Sequence, residues 1–241
     1  MIFSLLCPTR GRPARFVEML ESALATAKFP NRVEFHAGID ADDPSLAEYR
    51  KLLHRLPVNI TIYPERVRPS VMWQELYKVS SGGILMLCND DVIFRTHGWD
   101  ERVEAEFAKH DDGLLLCWSN DLEPQARGKA NHWFVSAAWC RALGFFTWEG
   151  DCGGLGALEY FGNDDVPWMV AKSVGRAVYL KDVHIEHMHA KYGKSAKDAT
   201  YTEPRKSNPT SRDEPRLRAL GPQVELWAAQ VKEAIKAGRR A

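Results

Sequence analysis

The apolar run Ile84-Leu85-Met86-Leu87-Cys88 breaks off into Asn89-Asp90-Asp91. An uninterrupted apolar stretch of this length suits a strand covered on both faces, as the strands of a parallel sheet are. Ligands of open α/β sheets bind just outside the carboxyl ends of such strands. Carboxylates delivered there suit a hard divalent cation held mainly by oxygen. Side chains of an extended chain alternate faces, so Asn89 and Asp91 point one way and Asp90 the other. One oxygen pair can then reach a metal while Asp90 bonds elsewhere. An Asx-type turn after a strand uses the same residues without any ligand, and the rest of the chain has to choose between the two.

Strand-like and helix-like segments alternate up to that point. Residues 2–7, 32–39, 58–63 and 84–88 read as strands; 15–27, 45–56 (capped by Ser45) and 70–80 read as helices. Such alternation is the signature of a parallel sheet with crossover helices. Three of the strands end in polar clusters, at residues 8–12, 40–43 and 89–91, and their convergence on one sheet edge would build a single site. Further on, 99–109 reads as a helix and 113–118 as a strand. Residues 163–175 read as a helix with Pro167 in its first turn, 177–180 and 183–187 as short strands, and 224–237 as a last helix. Residues 191–218 are polar, basic and proline-rich, and read as an arm or a loop ordered on binding. Gly150 to Gly156 lacks the Lys-Ser/Thr of a P-loop and reads as a mobile loop, a lid over a site.

The 241 residues suffice for one large α/β domain, and 32 basic residues balance 32 acidic ones, so no global field favours nucleic acid or an acidic membrane. Five cysteines, Cys7, Cys88, Cys117, Cys140 and Cys152, show no C-x-x-C spacing, which argues against a zinc knuckle and a disulfide framework. No apolar run approaches the length of a membrane span, and the start of the chain lacks the charged, then apolar pattern of a signal peptide. A cytoplasmic protein with reduced cysteines and no stable membrane insertion is expected.

A second cluster strengthens the metal reading. His187 and His189, two apart, share one face of an extended segment. Asp, Asn and His around a cation, with positions left for phosphate oxygens, is how Mn²⁺ or Mg²⁺ grips a diphosphate, and His tilts the choice toward Mn²⁺. Thr9, Arg10 and Arg12 offer donors to phosphate or base, and Asp40 an acceptor to base or ribose. Asp42 and Asp43 read as turn residues before Pro44. Gln74 and Lys78, one helical turn apart, can face the same crevice. Asn163-Asp164-Asp165 precedes a helix, either as acids that complement the helix dipole or as a general base. Five tryptophans between Trp118 and Trp168 read mainly as core. Trp133, beside His132 in a polar stretch, is the one expected to stack on a sugar.

These motifs, in this order over residues 2–201, resemble the nucleotide-sugar glycosyltransferases of the GT-A fold, most closely the family 2-like members. Residues 8–13 (Pro8-Thr9-Arg10-Gly11-Arg12-Pro13) look like the turn that lies against the nucleotide, and Asp40 stands where an acid meets the base. Asn89-Asp90-Asp91 stands where the metal-binding motif belongs, with Asn89 replacing the usual first acid. Asp164 and Asp165 resemble the pair carrying the base of inverting members, and His187-Met188-His189 the late histidine motif that returns to the metal.

The resemblance implies an α/β, GT-A-like domain over 1–203, with a nucleotide-binding half over about 1–92, an acceptor half over about 93–203, and a basic extension over 204–241 ending in a helix. Nucleotide contacts fall to Pro8, Thr9, Arg10, Arg12, Asp40, Gln74 and Asp90, and metal contacts to Asp91, His187 and His189. The base falls to Asp165 or Asp164, and acceptor or sugar contacts to Trp133, His132 and Asn163. The implied partner is a nucleoside-diphosphate sugar; the acceptor is a glycan or a hydroxylated base in DNA, the latter because of the basic stretch between Lys191 and Arg218. Two other readings stay open: a nucleotidyltransferase using the same metal and sheet edge, and a silent binding module, which Asn89 supports.

Overall fold

The computed structural model describes residues 1–52, 56–199, 202 and 209–238. Eight strands form one sheet: β1 (Phe3–Pro8), β2 (Val33–Asp40), β3 (Val58–Tyr63), β4 (Ile84–Leu87), β5 (Val92–Phe94), β6 (Leu116–Asn120), β7 (Trp133–Ser136) and β8 (Ala177–His187). Their spatial order is β3-β2-β1-β4-β7-β6-β8-β5. β1 pairs in parallel with β2 and β4, β2 with β3, and β6 with β8. β7 runs antiparallel to both β4 and β6, and β5 antiparallel to β8. Two reversals around β7 cancel, so β6 and β8 point the same way as β1, β2 and β4. That makes the sheet mostly parallel and gathers the carboxyl ends of β1, β2, β4, β6 and β8 on one edge.

Among the described residues, eight helices cover the two faces: α1 (Pro13–Thr26), α2 (Leu46–Leu52), α3 (Pro69–Val79), α4 (Trp99–Phe107), α5 (Ala137–Leu143), α6 (Asp165–Ser173), α7 (Pro209–Ala219) and α8 (Gly221–Gly238). Proline opens α1 and α3, where its missing N–H costs nothing. Ser136 caps α5 through the Trp139 N–H, and Gly144 ends it at φ 86°. Just before α2, Asp43 Oδ1 accepts from the Ser45 N–H at 2.7 Å, and the Ser45 carbonyl accepts from the Tyr49 N–H; residues 53–55 of the expected helix lie outside the described residues.

The strand pleat sorts neighbouring residues into two cores. Leu5, Met86 and Phe134 meet Phe16 and Met19 of α1, Tyr49 of α2, and Trp99 and Val103 of α4. Leu6, Leu85 and Val135, one residue away, meet Trp73 of α3, Trp139 of α5, Val170 of α6 and Trp227 of α8. Each fully buried side chain of this kind contributes about 1.5–3 kcal/mol. Trp99 anchors the first core, edge-on to Phe3 at 5.3 Å and stacked on Phe134 at 5.9 Å.

Two elements differ from expectation. The two short strands before His187 are one strand, β8, whose pairing with β6 shifts register between Ser119 and Asn120. The polar segment 191–218 was expected as an arm, yet its α7 part packs on the domain. Asp213 is buried, and Leu220, Val224 and Trp227 just beyond sit in the second core. Arg205 and Lys206 of that segment, and the boundary at 203, lie outside the described residues. All five cysteines are free and buried. Among the described residues no helix is long and apolar enough to cross a membrane.

Candidate active site

The shared strand edge opens into a cleft of about 1070 Å³ whose lining includes Thr9, Arg12, Asp40, Asp91, Asp164 and His187. The β1–α1 turn on this edge is held from beneath. Thr9 Oγ1 lies 2.7 Å from the Tyr49 hydroxyl and donates to Asp90 Oδ2 at 2.7 Å. The Arg12 N–H donates to the same Tyr49 hydroxyl, and the Gly11 N–H donates to Asp43 Oδ2. Asp43, buried and serving both loops, joins the β1–α1 turn to the β2–α2 turn. Gly11 sits at φ 66°, the left-handed region that glycine enters without strain.

Arg12 is buried among carboxylates. Its Nη1 lies 3.0 Å from Asp90 Oδ1 and 3.5 Å from Asp91 Oδ2, while Nε and Nη2 grip both oxygens of Asp198 at 2.8 and 2.7 Å. Burial works against its charge, but Asp198, Asp90 and Asp91 outweigh it and push its pKa up. Arg10 binds Asp42 through both terminal nitrogens and Asp40 at 3.3 Å. Asp40 Oδ1 also accepts from the Val67 N–H, which ties the loop after β3 to the cleft. Burial raises the Asp40 carboxyl, against that hydrogen bond and Arg10.

The acidic strand end divides its labour. Both Asp90 oxygens are engaged, by Thr9 and by Arg12. Burial, then the Asp91 charge, raise the Asp90 carboxyl to about 6 against those two donors. Asp91 faces β8. The register Val92↔His187 sets Asp91 beside the histidine, the Met188 N–H donates to the Asp91 carbonyl at 2.8 Å, and Asp91 Oδ1 lies 3.4 Å from His187 Nε2. On the other side of the ring, His187 Nδ1 lies 2.9 Å from Glu123 Oε1. Burial disfavours the imidazolium, but Asp91 and Glu123 outweigh it and lift the His187 pKa to about 9. The His189 ring is 5.0 Å from His187, and its Nδ1 accepts from the Lys191 N–H.

A divalent cation fits these donors. Asp91 and His187 supply a carboxylate oxygen and an imidazole nitrogen, both buried and both lining the cleft, a mixed set that suits Mn²⁺ and admits Mg²⁺. Among the described residues, Asp121, Glu123 and His187 also bring one ligand atom each within 4.8 Å of one another.

Asp164 and Asp165 stand at the start of α6 and line the same cleft. Burial, then Asp165, raise the Asp164 carboxyl to about 6, and Lys129 opposes them. Asn163 is buried; its Nδ2 donates to the Tyr160 carbonyl, and its Oδ1 has no partner among the described residues. The stretch leading here is braced by α7. Asp213 accepts from the N–H groups of Glu159, Tyr160 and Phe161, and Arg216 binds Glu159 and the Leu155 carbonyl. Asp151 accepts from the Gly154 and Gly156 N–H groups, so the glycine-rich stretch closes on itself.

Three expected contacts are corrected. Trp133 is fully buried in β7 with its ring 4.8 Å from Phe146, and its Nε1 donates to the Asp164 carbonyl; it has no free face for a sugar. His132 is buried beneath His187, ring centroids 4.9 Å apart, and burial with that neighbour lowers its pKa to about 3. Gln74 turns its carbonyl to the Phe146 and Thr147 N–H groups and does not line the cleft. Missed were Tyr49, Asp121, Glu123, Asp198 and Asp213. Asp121 and Glu123 had a signal: they follow β6 as Asn89 and Asp91 follow β4.

No protein-family model and no curated protein sequence matches this chain. Solved structures do match its shape. The mannosyltransferase PcManGT from Pyrobaculum calidifontis, in complex with GDP-Man and Mn²⁺, superposes with a TM-score of 0.60 at 11% identity, over 99% of this chain and 75% of that one. S. aureus TarS 1–349 matches with a TM-score of 0.57 at 16% identity, over 77% of this chain and 59% of that one. Its complex with UDP-GlcNAc gives 0.56 at 15% identity, over 84% and 64%. The fold is GT-A-like. This GT-A-like chain spans about three fifths of the TarS fragment it matches.

Proposed function

We propose that the chain transfers a sugar from a nucleoside-diphosphate sugar to a hydroxyl acceptor, with inversion at the anomeric carbon. One observation carries the reading: Asp91 with His187, and Asp164 with Asp165, line a single cleft at the carboxyl edge of the sheet. Its volume is of the class that takes up cofactor-sized ligands. A cation held by Asp91 and His187, with His189 beside them, would neutralise charge on a diphosphate leaving group. Asp40 would accept from the base, with Pro8, Thr9, Arg10, Arg12 and Asp90 forming the floor under the nucleotide. Asp164 or Asp165 would take the acceptor proton. A carboxyl raised to about 6 is a stronger base than an ordinary aspartate and still ionised at neutral pH. The buried Asn163 Oδ1 would accept from a sugar hydroxyl.

The partners of the basic segment support a glycan acceptor over DNA. Among the described residues, Arg212 and Arg216 pair with Glu159, Arg218 with Glu214, and Lys194 with Glu186, so these four cations already have acidic partners within the fold. The test incubates the protein with UDP-GlcNAc or GDP-Man and Mn²⁺ and identifies the released species. Free nucleoside diphosphate, lost in Asp91→Ala, supports the transferase; pyrophosphate would instead favour nucleotidyl transfer, and no turnover of these or other sugar nucleotides a silent module.

A further inference from the structure

The loop after β6 bends back on itself to deliver one carboxylate to His187. Among the described residues Leu122 is the one non-glycine residue at positive φ, 57°, and its side chain is exposed, so packing of that side chain does not explain the conformation. Two Asx-type bonds wrap it: Asn120 Oδ1 accepts from the Leu122 N–H, and Asp121 Oδ1 from the Glu123 N–H. A left-handed leucine persists only where its surroundings over-determine it. The result of the bend is the burial of Glu123 against His187 on the side away from Asp91.

The far oxygen of this carboxylate and its neighbour Asp121 are held by amide side chains. Glu123 Oε2 accepts from Gln125 Nε2 at 2.5 Å, and Asp121 Oδ2 accepts from Asn131 Nδ2 at 2.7 Å. The Asp121 carbonyl accepts from the His187 N–H at 3.0 Å, so the same loop fixes the backbone and the ring of the histidine. Glu123 Oε1 and His187 Nδ1 have no hydrogen-bond partner elsewhere among the described residues, and they lie 2.9 Å apart. A carboxylate oxygen that close to a ring nitrogen requires the proton to be on that nitrogen, since two lone pairs would repel. With a cation bound, Nδ1 would keep the proton it directs at Glu123, and Nε2 would give up its own and ligate on the Asp91 side.

We infer that Glu123 is a positioning residue for the metal corner: it fixes the orientation and tautomer of His187 so that Nε2 presents its lone pair beside Asp91. The inference rests on the reading of Asp91 and His187 as cation ligands. Carboxylates behind a metal-bound histidine act in this way, and their loss weakens metal affinity about 10–100-fold.

The test titrates the full chain with Mn²⁺ alone and follows the free aquo-ion by electron paramagnetic resonance, with Co²⁺ absorption as a second probe of ligand geometry. Glu123→Ala is expected to weaken Mn²⁺ binding about 10–100-fold and to change the Co²⁺ spectrum. Glu123→Gln, whose amide oxygen can still accept from Nδ1–H, is expected to recover most of the affinity and covers the case in which the alanine variant does not fold. A folded Glu123→Ala protein with wild-type affinity overturns the inference. Wild-type affinity in Asp91→Asn together with lost binding in Glu123→Gln also overturns it, because the ion would then sit on the Glu123 side. Wild-type protein that binds neither ion removes the cation site itself, an outcome distinct from both.

Discussion

Asp91 Oδ1 lies 3.4 Å from His187 Nε2, and a strand register brings them together. Val92 opens β5 opposite His187, the last residue of β8, so residues nearly a hundred apart in sequence become neighbours through backbone pairing. The Met188 N–H to Asp91 carbonyl bond closes the same pair. A site built on paired strands holds its geometry more tightly than one built on loops.

The acid pair at the start of α6 makes activity depend on pH. With Asp164 as base, kcat/KM should rise with pH through about 6 and level off above it, because the carboxyl must be ionised to accept a proton. Asp165→Asn removes a like charge, so the limb should move to lower pH. Asp164→Asn should abolish the limb and cost about 10²–10⁴-fold in rate. A pH–rate profile of the three proteins checks both.

Trp133 should matter for stability and not for acceptor affinity. Trp133→Ala empties a core position and should cost about 3–5 kcal/mol. Trp133→Phe keeps most of the packing but leaves the Asp164 carbonyl without its donor, for about 1 kcal/mol. Urea unfolding measures both, and an unchanged acceptor KM in Trp133→Phe distinguishes core from stacking platform.

Glu34 gives the fold an acid-sensitive joint. Burial opposes its ionisation, but bonds from Ser4, Ser81 and His36 outweigh that and lower its pKa to about 2. The unfolded value is about 4.3. The stabilisation is therefore complete above the unfolded value and lost as pH falls toward 2. Glu34→Gln should lower Tm at pH 7 and match the parent protein near pH 2.

Much of this site could be read from the residues, and the failures have physical causes. Strand ends at Asp40 and Asp91 stood out because strand-like segments stop there in acid. β5 did not, since Val92–Phe94 is too short to show a period, and with it went the reason for the Asp91–His187 contact. Trp133 looked exposed because Asn131 and His132 precede it; β7 lies between β4 and β6, where polar neighbours are buried too. Asp121 and Glu123 repeat after β6 the spacing of Asn89 and Asp91 after β4, but no pattern announces the left-handed Leu122 that turns Glu123 back to His187. Asp213 sits in a basic stretch, and only tertiary packing turns it toward the Glu159–Phe161 backbone.

Asp213 should hold that backbone in place. Asp213→Ala leaves three N–H groups without their acceptor and should destabilise the protein by about 2 kcal/mol. It should also lower kcat, because the stretch leads directly into Asn163, Asp164 and Asp165. Amide hydrogen exchange at 159–161 should rise in the variant.

The central claim is tested most directly by calorimetric titration of UDP, GDP and CDP into the protein with and without Mn²⁺, repeated on Asp91→Asn. The structure predicts that one nucleoside diphosphate binds, that Mn²⁺ strengthens its binding, and that the Asp91→Asn protein, folded, loses that metal dependence. Binding that ignores both Mn²⁺ and Asp91, or no binding of any of the three by folded protein, would contradict a cation-assisted donor site at this sheet edge.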